Sequence, residues 1–258
     1  MVAFDMDKPE TYGPAFEGAY GVYVVTSFWE HMDPQKEIDQ AAAIAMAAEA
    51  AGVKHIIWST LENTADFYDR LPEKDRVPKI KGYYVPHFDA KGLANDKFPK
   101  KITTYFHTSF YYENLYNFAM VADGTMATNA GESKMALISS EDIGKCAYGI
   151  FKAGDKFKGK KVYVAGDILT CGEMMEICSK ITGKKFTYNA VDRDTYAGFG
   201  FPGADDLANM WHYYNADNKN FNENRDVAVS NALNSELQSF EQWAKTHKTE
   251  ITALAAKD

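Results

Sequence analysis

The sequence lacks most of the features that mark specialised classes of protein. No apolar run approaches the length of a bilayer span, and no basic stretch followed by an apolar one opens the chain, so neither a membrane helix nor a secretory leader is expected. There is no Asn-x-Ser/Thr site. The 3 cysteines, Cys146, Cys171 and Cys178, are odd in number and have no paired metal spacing, which fits reduced thiols in a cytosolic protein. Cys171 and Cys178 fall on an expected helix and read as small buried apolar side chains. His31, His55, His107, His212 and His247 have no metal-type spacing, and neither a serine elbow nor an acidic metal cluster occurs. Basic residues are outnumbered, 28 against 36, giving a formal charge of -8 that argues against a general nucleic-acid surface. The one basic cluster, Lys156 to Lys161, reads as a solvated approach to a strand.

What is present is ordinary globular sequence: 258 residues, 46% hydrophobic and 25% charged, enough to bury one sizeable domain or a domain with a smaller appendage. The organising stretch is Ala19 to Thr60. Tyr20 to Val25 is a β-branched and aromatic run too continuous to leave one face in water, as in a parallel strand covered on both sides. Asp33 can cap a helix, Pro34 suits its first turn, and Gly52 sits where it would close. Ile38, Ala42, Ala45 and Ala48 form a stripe of mostly small side chains that lets this helix lie close to a sheet. Lys54 to Ser59 supplies the next strand, completing a βαβ unit with parallel strands.

Earlier, Val2 to Phe4 resembles the tail of a strand, and a helix is expected from about Pro9 to Phe16. Leu61 to Lys81 reads as a long polar loop, of the kind that is functional or mobile. Beyond it the spacing predicts a helix over Val85 to Phe98, a strand over Ile102 to Thr108, a helix-compatible aromatic run over Phe110 to Met120, and a strand over Lys134 to Ile138. A capped helix from Ser139 or Ser140 to Phe151, a strand at Lys161 to Ala165, a helix at Thr170 to Ile181 and a strand at Lys185 to Val191 follow. This alternation is the mark of α/β architecture. Thereafter Asp194 to Tyr214 is mostly helical around a Gly-Pro break, Asn215 to Asn224 an Asn-rich loop, and Ser239 to His247 a closing helix. No internal repeat is found.

Gly198-Phe199-Gly200-Phe201-Pro202-Gly203 matches the letters of G-x-G-x-x-G, yet no strand precedes it and Pro202 removes a backbone donor, so it reads as a turn between helices. No other glycine-rich phosphate loop occurs in the sequence. His87 and Lys91 are four apart and share a helix face, where such a lysine could bind a ribose hydroxyl and lower a neighbour's pKa; at this spacing a solvated face is the commoner outcome.

The runs GAYGVYVVTSFWEHMDPQKEIDQ, HFDAKG, FYYENL, SSEDIGK, GFPGADDLANM and QWAKTHK, in this order from about Val2 to Ile251, resemble the NmrA-like proteins, atypical members of the short-chain dehydrogenase/reductase superfamily. The resemblance implies an α/β fold: a Rossmann-like parallel sheet with helices on both faces, truncated at its N-terminus, and a small α+β C-terminal lobe. Residues 1–150 would form a partial core, and residues 151–258 mainly the lobe, interleaved with it. It implies NADP or NAD as cofactor. Asp5 would stand near adenine, Val25, Thr26 and Ser27 beside the cofactor, and Ser59 and Thr60 in the serine region after the fifth strand of the full fold. Lys91 would contact the nicotinamide ribose, and Tyr111, Tyr112, Glu113 and Asn114 would flank the nicotinamide.

Two departures from the family pattern shape the functional expectation. His87 occupies the position four before Lys91 where a catalytic dehydrogenase has its proton-donating tyrosine, which leans against enzymatic turnover. Upstream, family members carry a strand, the glycine fingerprint, a helix, a second strand that selects NADP and another helix, a block of about 55 residues. Without that block the middle of the sheet is missing, tight dinucleotide binding is not expected, and the Tyr20 to Val25 strand presents a bare hydrophobic edge. The resulting expectation is a cytoplasmic, and also nuclear, regulator or redox sensor working through a protein partner: a transcription regulator, as for fungal relatives, or a second copy. No direct nucleic-acid or membrane contact is expected. An NAD(P)H-dependent oxidoreductase with a misassigned start and a structural subunit of a larger complex stand as alternatives.

Overall fold

The computed structural model describes residues 2–117 and 120–255. The chain divides into two compact units, Met1–Thr108 with Ala147–Val162, and Ser109–Cys146 with Tyr163–Asp258.

In the first unit a short helix α1 (Tyr12–Phe16) leads to strand β1 (Gly21–Val24), and a single turn α2 (Phe28–His31) precedes the long helix α3 (Pro34–Ala50). The expected signals act as read. Asp33 accepts hydrogen bonds from the N–H groups of Gln35 and Lys36, Pro34 occupies the first turn, and Gly52 takes φ 73° just past the end. Strand β2 (His55–Thr60) follows, buried at every position. After the short helix α4 (Ala65–Tyr68) come α5 (Pro86–Ala94) and strand β3 (Thr103–His107). β1 and β3 both pair with β2 in parallel, Gly21 opposite His55 and Ile56 opposite Thr103. Lys161–Tyr163 lies beyond β3, so β1 is the edge strand of this four-stranded sheet.

Strand alternation explains the packing. Val22, Val24, Ile56 and Trp58 point to one face and pack with Ala41, Ile44, Ala45 and Ala48 of α3, whose alanines allow the helix a close approach. On the other face the Phe151 ring, from helix Ser140–Lys152, lies 5.2 Å from His55. The central strand β2 is thus covered on both sides, whereas the edge strand β1, expected to be covered likewise, leaves Tyr23 and the flanking Tyr20 and Val25 exposed on one face.

Some expectations are corrected. Val2–Phe4 forms no strand; the Phe4 ring stacks on Tyr12 at 4.9 Å instead. The 61–81 segment contains α4 and a 3₁₀ turn at Glu73–Asp75, and buries Thr64, Tyr68 and Val77.

The second unit has two three-stranded sheets. One takes the order Thr187–Ala190, Thr125–Thr128, Val121–Ala122; the other Phe110–Tyr111, Met135–Ile138, Asp167–Leu169. Phe110–Tyr111 is therefore a strand in the run read as helical, followed by a one-turn helix Asn114–Asn117, while residues 118 and 119 lie outside the described residues. The Asn-rich stretch holds a helix, Asn218–Glu223, because Asn218 and Asn222 turn their amides onto the Lys134 carbonyl at 2.6 and 2.8 Å. Helices Cys171–Thr182, Ala204–Ala216 and Phe240–Thr246 complete this α+β unit, which takes in residues 109–146 as well as the C-terminal part of the chain.

Candidate functional site

The expected site residues divide between the units. Asp5, Thr26, Ser27, Ser59, His87 and Lys91 belong to the first, and Tyr111, Glu113 and Asn114 to the second.

In the first unit Thr26 and Lys91 meet. Thr26 follows β1 and is buried; its hydroxyl donates to Glu37 Oε1 at 2.6 Å. The Lys91 ammonium, on α5, donates to Thr26 Oγ1 at 2.8 Å and to the Thr26 carbonyl at 2.9 Å, and pairs with Glu37 Oε1 at 2.8 Å. Its nitrogen also stands 5.2 Å over the Trp58 ring. Burial pushes the Lys91 pKa down, and the Glu37 carboxylate works against that shift. Thr60 Oγ1 donates to the Lys91 carbonyl at 3.1 Å, holding α5 against the end of β2. Gly92 permits a close approach there, since a Cβ at this position would lie 2.5 Å from the Asn63 backbone nitrogen.

Glu37 is the group that residue spacing did not single out. It is fully buried on α3, its Oε2 has no hydrogen bond, and that oxygen faces His31 Nε2 at 3.4 Å. His31 Nδ1 lies 3.0 Å from the Asp33 N–H and can only accept from it, so a neutral His31 carries its proton on Nε2, facing Glu37. One signal was available: Pro34, Glu37, Ala41, Ile44 and Ala48 follow the buried helical stripe, and Glu37 is the one charged member.

His87 leaves this cluster. Its ring packs 4.9 Å from Trp29, 6.0 Å from Phe28 and 4.8 Å from Phe88, so the two residues four apart on α5 face different surroundings. Ser27 is the N-cap of α2 and makes no side-chain cap bond. Ser59 and Thr60 are the last two residues of β2, both buried. Asp5 pairs with Lys8 at 2.9 Å, and that hydrogen bond lowers its pKa.

In the second unit Glu113 accepts from Ser139 Oγ at 2.8 Å and from the Ser140 N–H at 2.9 Å, closing the start of helix Ser140–Lys152. Tyr111 lies in the Phe110–Tyr111 strand and Asn114 opens the helix Asn114–Asn117, both half-buried.

A dinucleotide needs open backbone donors for its pyrophosphate and a free lysine for its ribose. At several described helix starts carboxylates of this chain take the backbone N–H groups. Asp33 takes the Gln35 and Lys36 N–H groups at the start of α3, Asp89 takes those of Tyr84 and Val85 at the start of α5, and Glu113 takes that of Ser140. The Gly198–Gly203 stretch links helices Arg193–Ala197 and Ala204–Ala216, as expected of a turn, and Asp205 and Asp206 stand in the first turn beyond it. Lys91 is engaged in the same way, by Glu37 and Thr26. Among the described residues no cluster of three or more His, Cys, Asp or Glu could hold a metal ion, and no helix is long and apolar enough to cross a membrane.

Parallel strands, covering helices on both faces and a lysine reaching the end of β1 place this chain in the Rossmann-like, atypical short-chain dehydrogenase/reductase class. It belongs to the NmrA-like family, an NAD(P)-binding family, whose sequence model matches residues 1–246. An NmrA-like family domain-containing protein of Dictyostelium discoideum is 26% identical over 208 residues, covering 76% of this chain and 66% of that relative. The NmrA-like oxidoreductase malD of Malbranchea aurantiaca is 25% identical, over 70% of this chain and 57% of its own length, so the chain spans two thirds or less of these relatives. Among solved structures, the negative transcriptional regulator NmrA superposes with a TM-score of 0.73 at 17% identity, covering 93% of this chain and 77% of NmrA. NmrA has also been solved with NAD and with NADP. The Citrobacter triphenylmethane reductase with NADP(H) gives 0.67 at 19% identity, over 94% of this chain and 81% of the reductase.

Proposed function

We propose that this chain is a regulatory or sensor member of the NmrA-like family, acting through contact with a protein partner in the cytoplasm or nucleus, with a weakened grip on NAD or NADP and no substrate turnover. The observation that carries this reading is the engagement of Lys91 by Glu37 and Thr26 while His87 is packed among aromatic rings. A reductase needs a proton donor and a lysine acting together on one ligand. Here the two side chains point into separate environments.

The second reading, an NAD(P)H-dependent oxidoreductase, draws support from malD and from the reductases of like fold. Reduced-cofactor consumption separates the two. Purified protein with NADPH or NADH and a panel of quinones and small carbonyls is expected to show no absorbance loss at 340 nm above the protein-free control. Steady consumption that scales with protein concentration would establish the oxidoreductase instead.

A further inference from the structure

The misfit between Lys91 and a ribose ligand has a structural explanation. An ammonium group has three protons, and Lys91 directs them at Glu37 Oε1, Thr26 Oγ1 and the Thr26 carbonyl, all within 2.9 Å. The Thr26 hydroxyl closes the circuit by donating to the same Glu37 oxygen. These residues come from the end of β1, from α3 and from α5, and the Lys91 carbonyl is tied to Thr60 at the end of β2. The circuit thereby joins two strands and both long helices of the first unit at one point. A ribose hydroxyl reaching Lys91 would have to displace one of its present acceptors. Displacing Glu37 would strip a fully buried carboxylate of its cation, when its other oxygen already has no hydrogen bond.

We infer that Glu37, Thr26 and Lys91 form a structural pin, so that the lysine at the family's cofactor position serves in this chain to hold the fold and not to bind a dinucleotide. This does not depend on whether the protein turns over a substrate. Consumption of NADPH by a protein whose Lys91 stays protected leaves the pin standing, and a reactive Lys91 without turnover removes the pin alone.

The test uses the full chain. In the wild type, N-hydroxysuccinimidyl acetate followed over time by peptide mass spectrometry should acetylate Lys91 at least about tenfold more slowly than the exposed Lys97. Lys91→Met and Glu37→Gln should each lower the melting midpoint by about 10 °C, because each leaves one buried charge without its partner. The double variant Lys91→Met/Glu37→Gln should recover most of that loss, since the charges leave together. Addition of NADPH should neither raise the wild-type midpoint nor slow Lys91 acetylation further. The pin is overturned if Lys91 reacts as fast as Lys97, if Lys91→Met melts like the wild type, if the double variant is as unstable as the sum of the singles, or if NADPH shields Lys91. Should a single variant fail to fold, the acetylation rates on wild-type protein decide.

Discussion

His55 is fully buried on β2, its Nε2 2.8 Å from Thr104 Oγ1, and burial, with the Lys158 charge added, pushes its pKa down. The unfolded chain, whose histidines titrate near 6.5, therefore takes up a proton over a window in which the folded state does not. Stability should be complete above about pH 7 and fall as the pH drops through about 6.5, by up to about 1.4 kcal/mol for each unit of depression. His212, also lowered by burial, acts in the same direction. Urea midpoints measured between pH 8 and 5 should decline in the wild type and decline less steeply in His55→Leu; equal slopes would remove His55 as a source. The cysteines give a second prediction. Burial pushes the thiols of Cys146, Cys171 and Cys178 up to about 12, so near pH 8 almost no thiolate forms and native protein should not react with a disulfide reagent. All 3 should react in denaturant. Spacing alone had read Cys171 and Cys178 as buried apolar side chains, and they are. Glu37 was harder to read, since a single carboxylate on a helix is ordinarily a solvated residue; only its place on the buried stripe sets it apart.

At the scale of elements, α3, β1 and β2 were legible because local signals and tertiary packing agree: a capping aspartate, a first-turn proline, a closing glycine and apolar strands, of which β2 is covered on both faces and β1 on one. Where long-range contacts decide, the sequence was silent. The Asn218–Glu223 helix forms despite residues that favour loops, because their amides bond the Lys134 carbonyl on a distant segment. The 61–81 segment likewise reads as a free loop and is in fact stapled. The fully buried Asp89 carboxylate accepts from the Thr64 N–H and hydroxyl, both at 2.6 Å, and from the N–H groups of Tyr84 and Val85 at 2.9 and 3.1 Å. Asp89→Ala would leave these buried donors without partners, at about 1–3 kcal/mol for each group that water cannot reach. The expected result is a melting midpoint lowered by about 10 °C and new proteolytic cleavage within residues 61–84. Unchanged melting, or cleavage elsewhere, would show that the staple does not hold this segment.

At the scale of the whole molecule, a net charge of -8 acts against an apolar sheet edge. β1 ends its sheet, so one side of its backbone has no strand partner among the described residues, and Tyr20, Tyr23 and Val25 beside it are 56%, 36% and 49% exposed. That edge is what the family resemblance implied, and the strand fragment expected at Val2–Phe4, without a proper neighbour, is replaced by Phe4 stacking on Tyr12. An open edge of this kind favours strand-to-strand association, while like charges on two copies oppose it over the Debye length. Screening shrinks that length from about 30 Å at 0.01 M salt to about 8 Å at 0.15 M, so repulsion weakens while apolar attraction remains. Self-association measured by sedimentation velocity should therefore grow with added salt, the reverse of what an interface built on opposite charges would do. Replacing Tyr20 and Val25 by lysine puts two cations at the edge and should keep the protein monomeric at the higher salt, with little change in melting midpoint because both side chains are half or more exposed or nearly so. Wild-type protein that stays monomeric at every salt concentration would mean that this edge is not an association surface.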